Sequence, residues 1–217
     1  MEAQFKIVYE GGSGEIVEKK SRFIATVVPV ASENEALAFV EAMRRKYWDA
    51  THNCYAYVVG ERNETARCSD DGEPAQTAGR PMLDVLLGEG IHNTAVVVTR
   101  YFGGTLLGTG GLVRAYSRAV QEGLAHSRVV VRENCVRIRI LSDYNALGKI
   151  QYIAGTMDIH ALDAQYMENV STDWLVKDMQ KEAFLKKVTE ATNGQAQIED
   201  LGLCFAAFCG KEVTVLG

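Results

Sequence analysis

The chain has 217 residues, 47% of them apolar, with 23 basic against 28 acidic side chains and a net charge of −5. That length holds one large or two modest domains with a real interior, and the acidic balance argues against a protein that coats nucleic acid by bulk charge. No run reaches the roughly 18 apolar residues of a membrane span, and the N-terminal MEAQFKIVYE lacks the basic-then-apolar order of a secretory signal. The five cysteines are irregularly spaced and fit reduced thiols. A cytoplasmic monomer is expected.

In chain order, Phe5 to Tyr9 reads as a short strand and Gly11 to Gly14 as a turn or flexible joint. Phe23 to Val30 is rich in β-formers and ends at Pro29, a strand. Ser32 then caps a helix, with Glu35 completing a capping box and Ala36, Val40, Met43 and Tyr47 on its buried face. Asn53 to Val59 is the next strand, Glu61 to Pro74 a polar loop, and Thr77 to Leu87 a second helix that tolerates Pro81 near its first turn. The apolar run Ala95 to Thr99 predicts a buried strand.

Arg100, Tyr101 and Phe102 follow, then Gly103-Gly104, Gly108 and Gly110-Gly111. From Gly111 the spacing is helical: Leu112, Ala115, Tyr116 and Ala119 share one face, Arg114 and Arg118 another. Thr109 is the expected N-cap. A glycine-rich entry leaves N–H groups free at the positive end of a helix, which suits an anion. From Gly90 to Gln121 there is no Asp or Glu, yet there are three arginines. The loop lacks the ending of a Walker A motif and the spacing of a dinucleotide fingerprint; glycines of this kind also serve tight turns and close packing.

Arg128 to Arg132 reads as a strand, and a boundary near Glu133-Asn134 divides the chain into residues 1–133 and 134–217. Beyond it, Val136, Ile138 and Ile140 alternate with Arg137 and Arg139. Asp143 caps a helix bearing Tyr144, Leu147, Ile150 and Ala154, which Gly155 ends. Strands near Met157–Ala164 and Glu168–Val176, a helix from Asp178 to Ala191 stopped by Asn193-Gly194, and a last strand after Gln195 complete the pattern. The order βαββαβ is the ferredoxin-like plan, so the fold class is α+β.

Three clusters offer chemistry. Asp70, Asp71 and Glu73 crowd one loop and need a neutralising partner: Mg²⁺ with a phosphate substrate, or arginines such as Arg80, Arg100 or Arg114. His52 and Cys54 lie two apart in a strand, with Cys68 beyond, open to a metal, to a nucleophile pair, or to packing on one face. Cys135, Cys204 and Cys209 read as core. Arg100, Tyr101, Phe102, Arg114, Tyr116 and Arg118 suit RNA backbone and bases, or an acidic protein partner, unless the aromatics are core and the arginines solvated.

The words KSRFIA (Lys20–Ala25), THNCYAY (Thr51–Tyr57), SDDGEP (Ser69–Pro74), TAGRP (Thr77–Pro81), RYFGG (Arg100–Gly104) and LGTGGLVRAY (Leu107–Tyr116) resemble, in order, the signature of the IMPACT family in its bacterial two-domain form. Many relatives carry glycine where Gln76 stands. The resemblance implies an N-terminal domain of the βαβ type shared with a small-subunit ribosomal protein, a fold related to domain IV of elongation factor G. It also implies a smaller C-terminal domain similar to another elongation factor G domain. Its functional implication is a non-enzymatic regulator of translation or stress responses. Eukaryotic relatives bind an activator of a translation-initiation kinase, with an extra N-terminal partner-binding domain expected to be lacking here.

The expected binding set is Arg100, Tyr101, Gly103, Gly104, Thr109, Gly110, Gly111 and Arg114, facing Asp70, Asp71 and Glu73 across a groove with His52 and Cys54 nearby. RNA, the ribosome or a protein partner would occupy it, without a resident cofactor or metal. The other class kept open is a Mg²⁺-dependent phosphate-handling enzyme.

Overall fold

A computed structural model describes residues 4–209 and 212–216. Two sheets and five α-helices among those residues make an α+β fold. The chain divides into two compact units, Phe5–Val131 and the residues from Arg132 onward.

The first unit contains β1 (Gln4–Glu10), β2 (Gly12–Glu18), β3 (Ser21–Pro29), α1 (Glu33–Lys46), β4 (His52–Val59), β5 (Thr65–Ser69), α2 (Gly79–Gly88), β6 (Ile91–His92), β7 (Thr94–Tyr101) and α3 (Thr109–Ala125). Five strands form an antiparallel sheet in the order β2-β3-β7-β4-β5, while β1 pairs in parallel with the short β6. The β-branched run of β7 takes the central place because both of its faces are covered. Val96 and Val98 pack with Phe23, Ala25, Cys54 and Ala56 under α2 and α3, which contribute Met82, Leu86, Leu112, Tyr116 and Ala119. Ala95 and Tyr57 face α1 through Ala36 on the other side. Ser32 caps α1 by accepting from the Glu35 N–H at 3.3 Å. The return bond of Glu35 reaches the Ala31 N–H at 2.8 Å, one residue before the cap.

Three expectations for this half change. The glycines 11–14 are not a flexible joint: Gly12 and Gly14 lie within β2, because α3 packs against that strand too closely for side chains. A Cβ on Gly12 would lie 2.1 Å from the His126 carbonyl oxygen, and one on Gly14 2.7 Å from Glu122 backbone. The polar loop after β4 holds an edge strand, β5, paired with β4 from Thr65 to Ser69. Helix α3 begins at Thr109 itself, so Thr109 is not the N-cap. That place belongs to Gly108, whose φ of 74° suits glycine.

The second unit takes β8 (Arg128–Ser142) from Arg132 onward, then α4 (Tyr144–Thr156), β9 (His160–Tyr166), β10 (Val170–Lys177), a 3-10 turn (Asp178–Gln180), α5 (Lys181–Ala191), β11 (Gln197–Cys209) and β12 (Glu212–Leu216). Its strands are ordered β9-β10-β8-β11-β12. The alternation along β8 puts Val136, Ile138 and Ile140 into a core with Trp174, Ile150, Phe184 and Val188, beneath α4 and α5. β8 runs unbroken through Glu133 and Asn134, where two strands were expected. A closing hairpin, β11–β12, stands where one strand was expected. Asp143 caps α4 by accepting from the Ala146 N–H at 2.7 Å. Tyr144, expected on the apolar face of that helix, is exposed because it occupies the first turn. Cys135 is buried and Cys204 half-buried; the side chain of Cys209 lies outside the described residues.

Candidate functional site

The antiparallel register brings the sequence words together. Arg22 stands opposite Tyr101, His52 opposite Arg100, and Tyr55 opposite Ser69. The starts of β3 and β4 and the ends of β5 and β7 therefore share one end of the first sheet. Because side chains alternate along a strand, Arg100 follows Val96 and Val98 onto the face covered by α2 and α3. It is buried there rather than solvated.

Beneath that end lies a polar network. The Arg100 guanidinium donates from Nη1 to Glu73 Oε1 at 2.5 Å, and the Tyr116 hydroxyl donates to the same oxygen at 2.8 Å. The Arg100 and Glu73 side chains are 6% and 3% exposed. Cys54 Sγ lies 3.3 Å from the Tyr116 hydroxyl and 3.0 Å from the Asp70 carbonyl oxygen. Burial pushes both the Cys54 thiol and the Tyr116 phenol well above their ordinary ranges. At neutral pH the thiolate that a nucleophile requires is not formed. His52 Nδ1 lies 2.8 Å from the Asp71 carbonyl oxygen; a carbonyl only accepts, so Nδ1 carries the proton and Nε2 faces Glu73 Oε2 at 3.9 Å.

Each acid of the loop has a protein partner. Asp70 accepts from the Gln76, Ala78 and Gly79 N–H groups at 2.8, 3.0 and 2.8 Å. It thus does for α2 what the N-cap Ala78 cannot. Asp71 accepts from Arg44 Nη2 at 3.0 Å and from the Asn53 N–H at 2.7 Å. Among the named arginines Arg100 answers Glu73, whereas Arg80 pairs with Asp84 on its own helix. Arg44, the partner of Asp71, was not singled out from the sequence, since it lies 27 residues away in an unrelated helical pattern. Gln76 has φ +62°, a left-handed backbone that favours glycine.

The glycine loop divides by role. The Gly103 N–H donates to Ser21 Oγ at 3.1 Å, and a Cβ there would lie 2.1 Å from the Lys20 carbonyl carbon. Gly103 therefore lets the loop press on the β2–β3 turn, where Lys19 and Lys20 both have positive φ. Gly104, at φ 80°, turns the chain away. Tyr101 donates its hydroxyl to Asp49 at 2.9 Å. Gly110, in contrast, has open space beside it, and its nearest neighbour would be Arg114 Nη1 at 3.6 Å. Leu112 N–H bonds back to the Gly108 carbonyl, while Thr109, Gly110 and Gly111 donate to no group among the described residues. Glu18, Lys19, Arg114 and Arg118 all line a pocket of about 120 Å³ beside the first turns of this helix, with Glu18 3.7 Å from Arg118.

A family model described as the Impact N-terminal domain matches residues 19–124, and one described as a domain of unknown function (DUF1949) matches residues 142–195. IMPACT family member YvyE of Bacillus subtilis is 44% identical over 193 residues, 89% of each chain. The chain belongs to the IMPACT family. Family member YigZ of Escherichia coli is 35% identical over 182 residues, spanning 83% of this chain and 89% of that one. Protein IMPACT of Mus musculus shares 37% identity over 98 residues, 43% of this chain and 30% of its own. A crystal structure titled as a hypothetical protein, 32% identical, superposes with a TM-score of 0.59 over 93% of this chain and 99% of that one. No helix among the described residues is long and apolar enough to cross a membrane.

Proposed function

We propose that this IMPACT protein is a non-enzymatic, cytoplasmic regulator of translation or stress responses that holds RNA backbone, free or on the ribosome, at the start of α3. The observation that carries this reading is the first turn of α3. There the N–H groups of Thr109, Gly110 and Gly111 are unclaimed among the described residues, Arg114 lies beside Gly110, and the segment Gly90 to Gln121 contains no acid. Helix N-termini with a nearby arginine fork suit phosphate. The βαββαβ order from β8 to β11, ahead of the extra closing strand β12, supports a ferredoxin-like assignment for the second unit. The expected likeness of the first unit to ribosomal-protein and elongation factor G domains would be a fold-level analogy and adds only context.

A protein partner on the same surface is the second reading. It is favoured by Phe102 and Leu106, large apolar side chains left exposed on either side of Gly103-Gly104. A Mg²⁺-dependent phosphate-handling enzyme is disfavoured, because Asp70, Asp71 and Glu73 would have to release partners they already hold. The test is fluorescence anisotropy with a short single-stranded RNA across salt concentrations. The logarithm of affinity should fall with the logarithm of salt by about 0.7 per neutralised phosphate. Arg114→Ala should lower affinity for all sequences alike and reduce that slope by roughly one contact. Absence of binding at low salt, or an Arg114→Ala protein that binds unchanged, would remove the phosphate reading and leave the protein-partner surface.

A further inference from the structure

The residues that follow α1 form a surface that the α3 start does not include. Trp48 is 83% exposed, yet its segment is fixed on both sides. The Tyr47 N–H donates to the Met43 carbonyl at 2.9 Å, and the Ala50 N–H to the Tyr47 carbonyl at 3.1 Å. The Thr51 N–H donates to the Arg100 carbonyl at 2.9 Å, and Tyr101 donates its hydroxyl to Asp49. The indole is thus held open to water at a fixed place, on a pinned turn rather than a loose loop. Asp49 apart, the charges beside it in the chain are basic. Arg45 and Lys46, in the last turn of α1, are exposed and have no acidic partner among the described residues. Arg44 of the same turn is taken by Glu41 and Asp71. Lys46 Nζ stands over the Tyr47 ring, 4.9 Å from its centre.

This surface joins the α3 start through the β2–β3 turn. Two residues after Tyr101, Gly103 presses on the Lys20 backbone, and Lys19, next in that turn, lines the pocket with Arg114. Lys19 and Lys20 are exposed, again without an acidic partner among the described residues. Of the acids nearby, Glu15 is held by Arg22 and Glu18 lies against Arg118. Unpaired cations therefore lead from Arg114 past Tyr101 to Trp48. Cations along a path with open rings suit a nucleic acid single strand, in which phosphates meet the cations and an unpaired base stacks on a ring. A protein partner fits less well, because lysine and aspartate are depleted from interface cores, and Lys46 and Asp49 stand within two residues of Trp48. We propose that Trp48 is the stacking platform for an unpaired base of an RNA whose backbone continues to the α3 start, so that the ligand is single-stranded RNA. The inference rests on the RNA reading above and adds to it a second contact and a strand preference. An A-form duplex keeps its bases paired and stacked on one another and leaves no base face for the indole.

Tryptophan fluorescence reads this site directly. The chain has two tryptophans, and Trp174 is 3% exposed, so quenching by a ligand reports Trp48. Full-length protein is titrated at low salt with a single-stranded RNA about ten nucleotides long, with the same sequence as a duplex, and with polyglutamate. Anisotropy of labelled RNA measures total binding in parallel. The single strand should quench Trp48, and the duplex and polyglutamate should do so little. Trp48→Ala should abolish the quench, weaken binding of the single strand about tenfold and leave the urea midpoint unchanged. Trp48→Phe should restore most of the affinity. Arg114→Ala should weaken binding yet leave the quench intact at saturation. RNA that binds without quenching Trp48, or that binds Trp48→Ala as tightly as the parent, overturns the platform and leaves the α3 reading standing. A quench by RNA that Arg114→Ala binds undiminished supports the platform and removes the α3 reading; no binding at low salt removes both. Equal quenching by the duplex overturns the inference, and equal quenching by polyglutamate does so too, making this a surface for an acidic protein partner.

Discussion

Glu73→Gln tests whether the network under the sheet end is buried charge or solvated surface. The Arg100 and Glu73 side chains are 6% and 3% exposed and meet at 2.5 Å. The amide keeps the shape and an acceptor for Tyr116, but strips Arg100 of its counter-charge beside the rings of Phe23 and Phe102, 5.3 and 5.6 Å away. Removing one partner of a buried ion pair costs about 3–5 kcal/mol. At roughly 2–4 °C per kcal/mol for a chain of this size, the melting point should fall by about 6–20 °C. Urea denaturation followed by far-UV circular dichroism measures the loss. A double variant, Glu73→Gln with Arg100→Met, carries no stranded charge and should be more stable than Glu73→Gln alone. The exposed pair Glu15–Arg22 is the comparison, and breaking it with Arg22→Met should matter far less. A Glu73→Gln loss below about 1 kcal/mol, the level of exposed pairs, or a double variant no more stable than the single one, would refute the reasoning.

The remaining predictions concern glycines, thiols and acid. Gly103→Ala should destabilise by about 1–3 kcal/mol, since its Cβ would sit 2.1 Å from Lys20 backbone; Gly110→Ala should leave urea stability equal or raise it by up to about 1 kcal/mol, yet weaken RNA binding. In native protein at pH 8, iodoacetamide should label exposed Cys68 before Cys54 and Cys135, read by peptide mass spectrometry. Burial pushes the Cys135 thiol up to about 12, so about one molecule in ten thousand is thiolate at that pH, against roughly a quarter for an ordinary thiol. Hydrogen bonds from Arg139 hold the Asp173 carboxyl below its usual range. A carboxyl depressed in the folded state contributes stability above its unfolded pKa, about 3.9, and that contribution disappears as pH falls through the folded value. Fluorescence of buried Trp174 in urea should therefore show stability declining below about pH 4, and Asp173→Asn should flatten that decline.

What could be read from sequence was what depends on near neighbours. The β7 run, the Ser32 and Asp143 caps and the Asn193-Gly194 stop are local signals, and each appears as an element or cap. What escaped depends on contacts between distant residues. Glycines that suggest a joint also suit a strand under a close helix, and only the position of α3 decides for Gly12 and Gly14. Asp70 serves a helix that starts nine residues later, and Arg44 reaches Asp71 from 27 residues earlier in the chain. The burial of Arg100 was within reach: period-two alternation from Val96 and Val98 points it into the core, and a charge so placed demands an internal acid.

The three acids of the loop are engaged by internal partners of their own. Glu73 and Asp71 neutralise Arg100 and Arg44, and Asp70 spends its charge on the N–H groups that lead into α2. The charges left near the start of α3 are Lys19, Arg114 and Arg118 against Glu18, with Lys20 in the adjoining turn. At physiological salt a charge is screened beyond about 8 Å, so a phosphate at that helix start responds to these side chains and to the free N–H groups, not to the net −5 of the chain. Dilute buffer lengthens the screening distance and brings the distant acids into play. Charge-neutralising substitutions of acids far from the pocket should therefore raise RNA affinity at low salt and have little effect near 0.15 M, whereas Arg114→Ala should weaken binding at both.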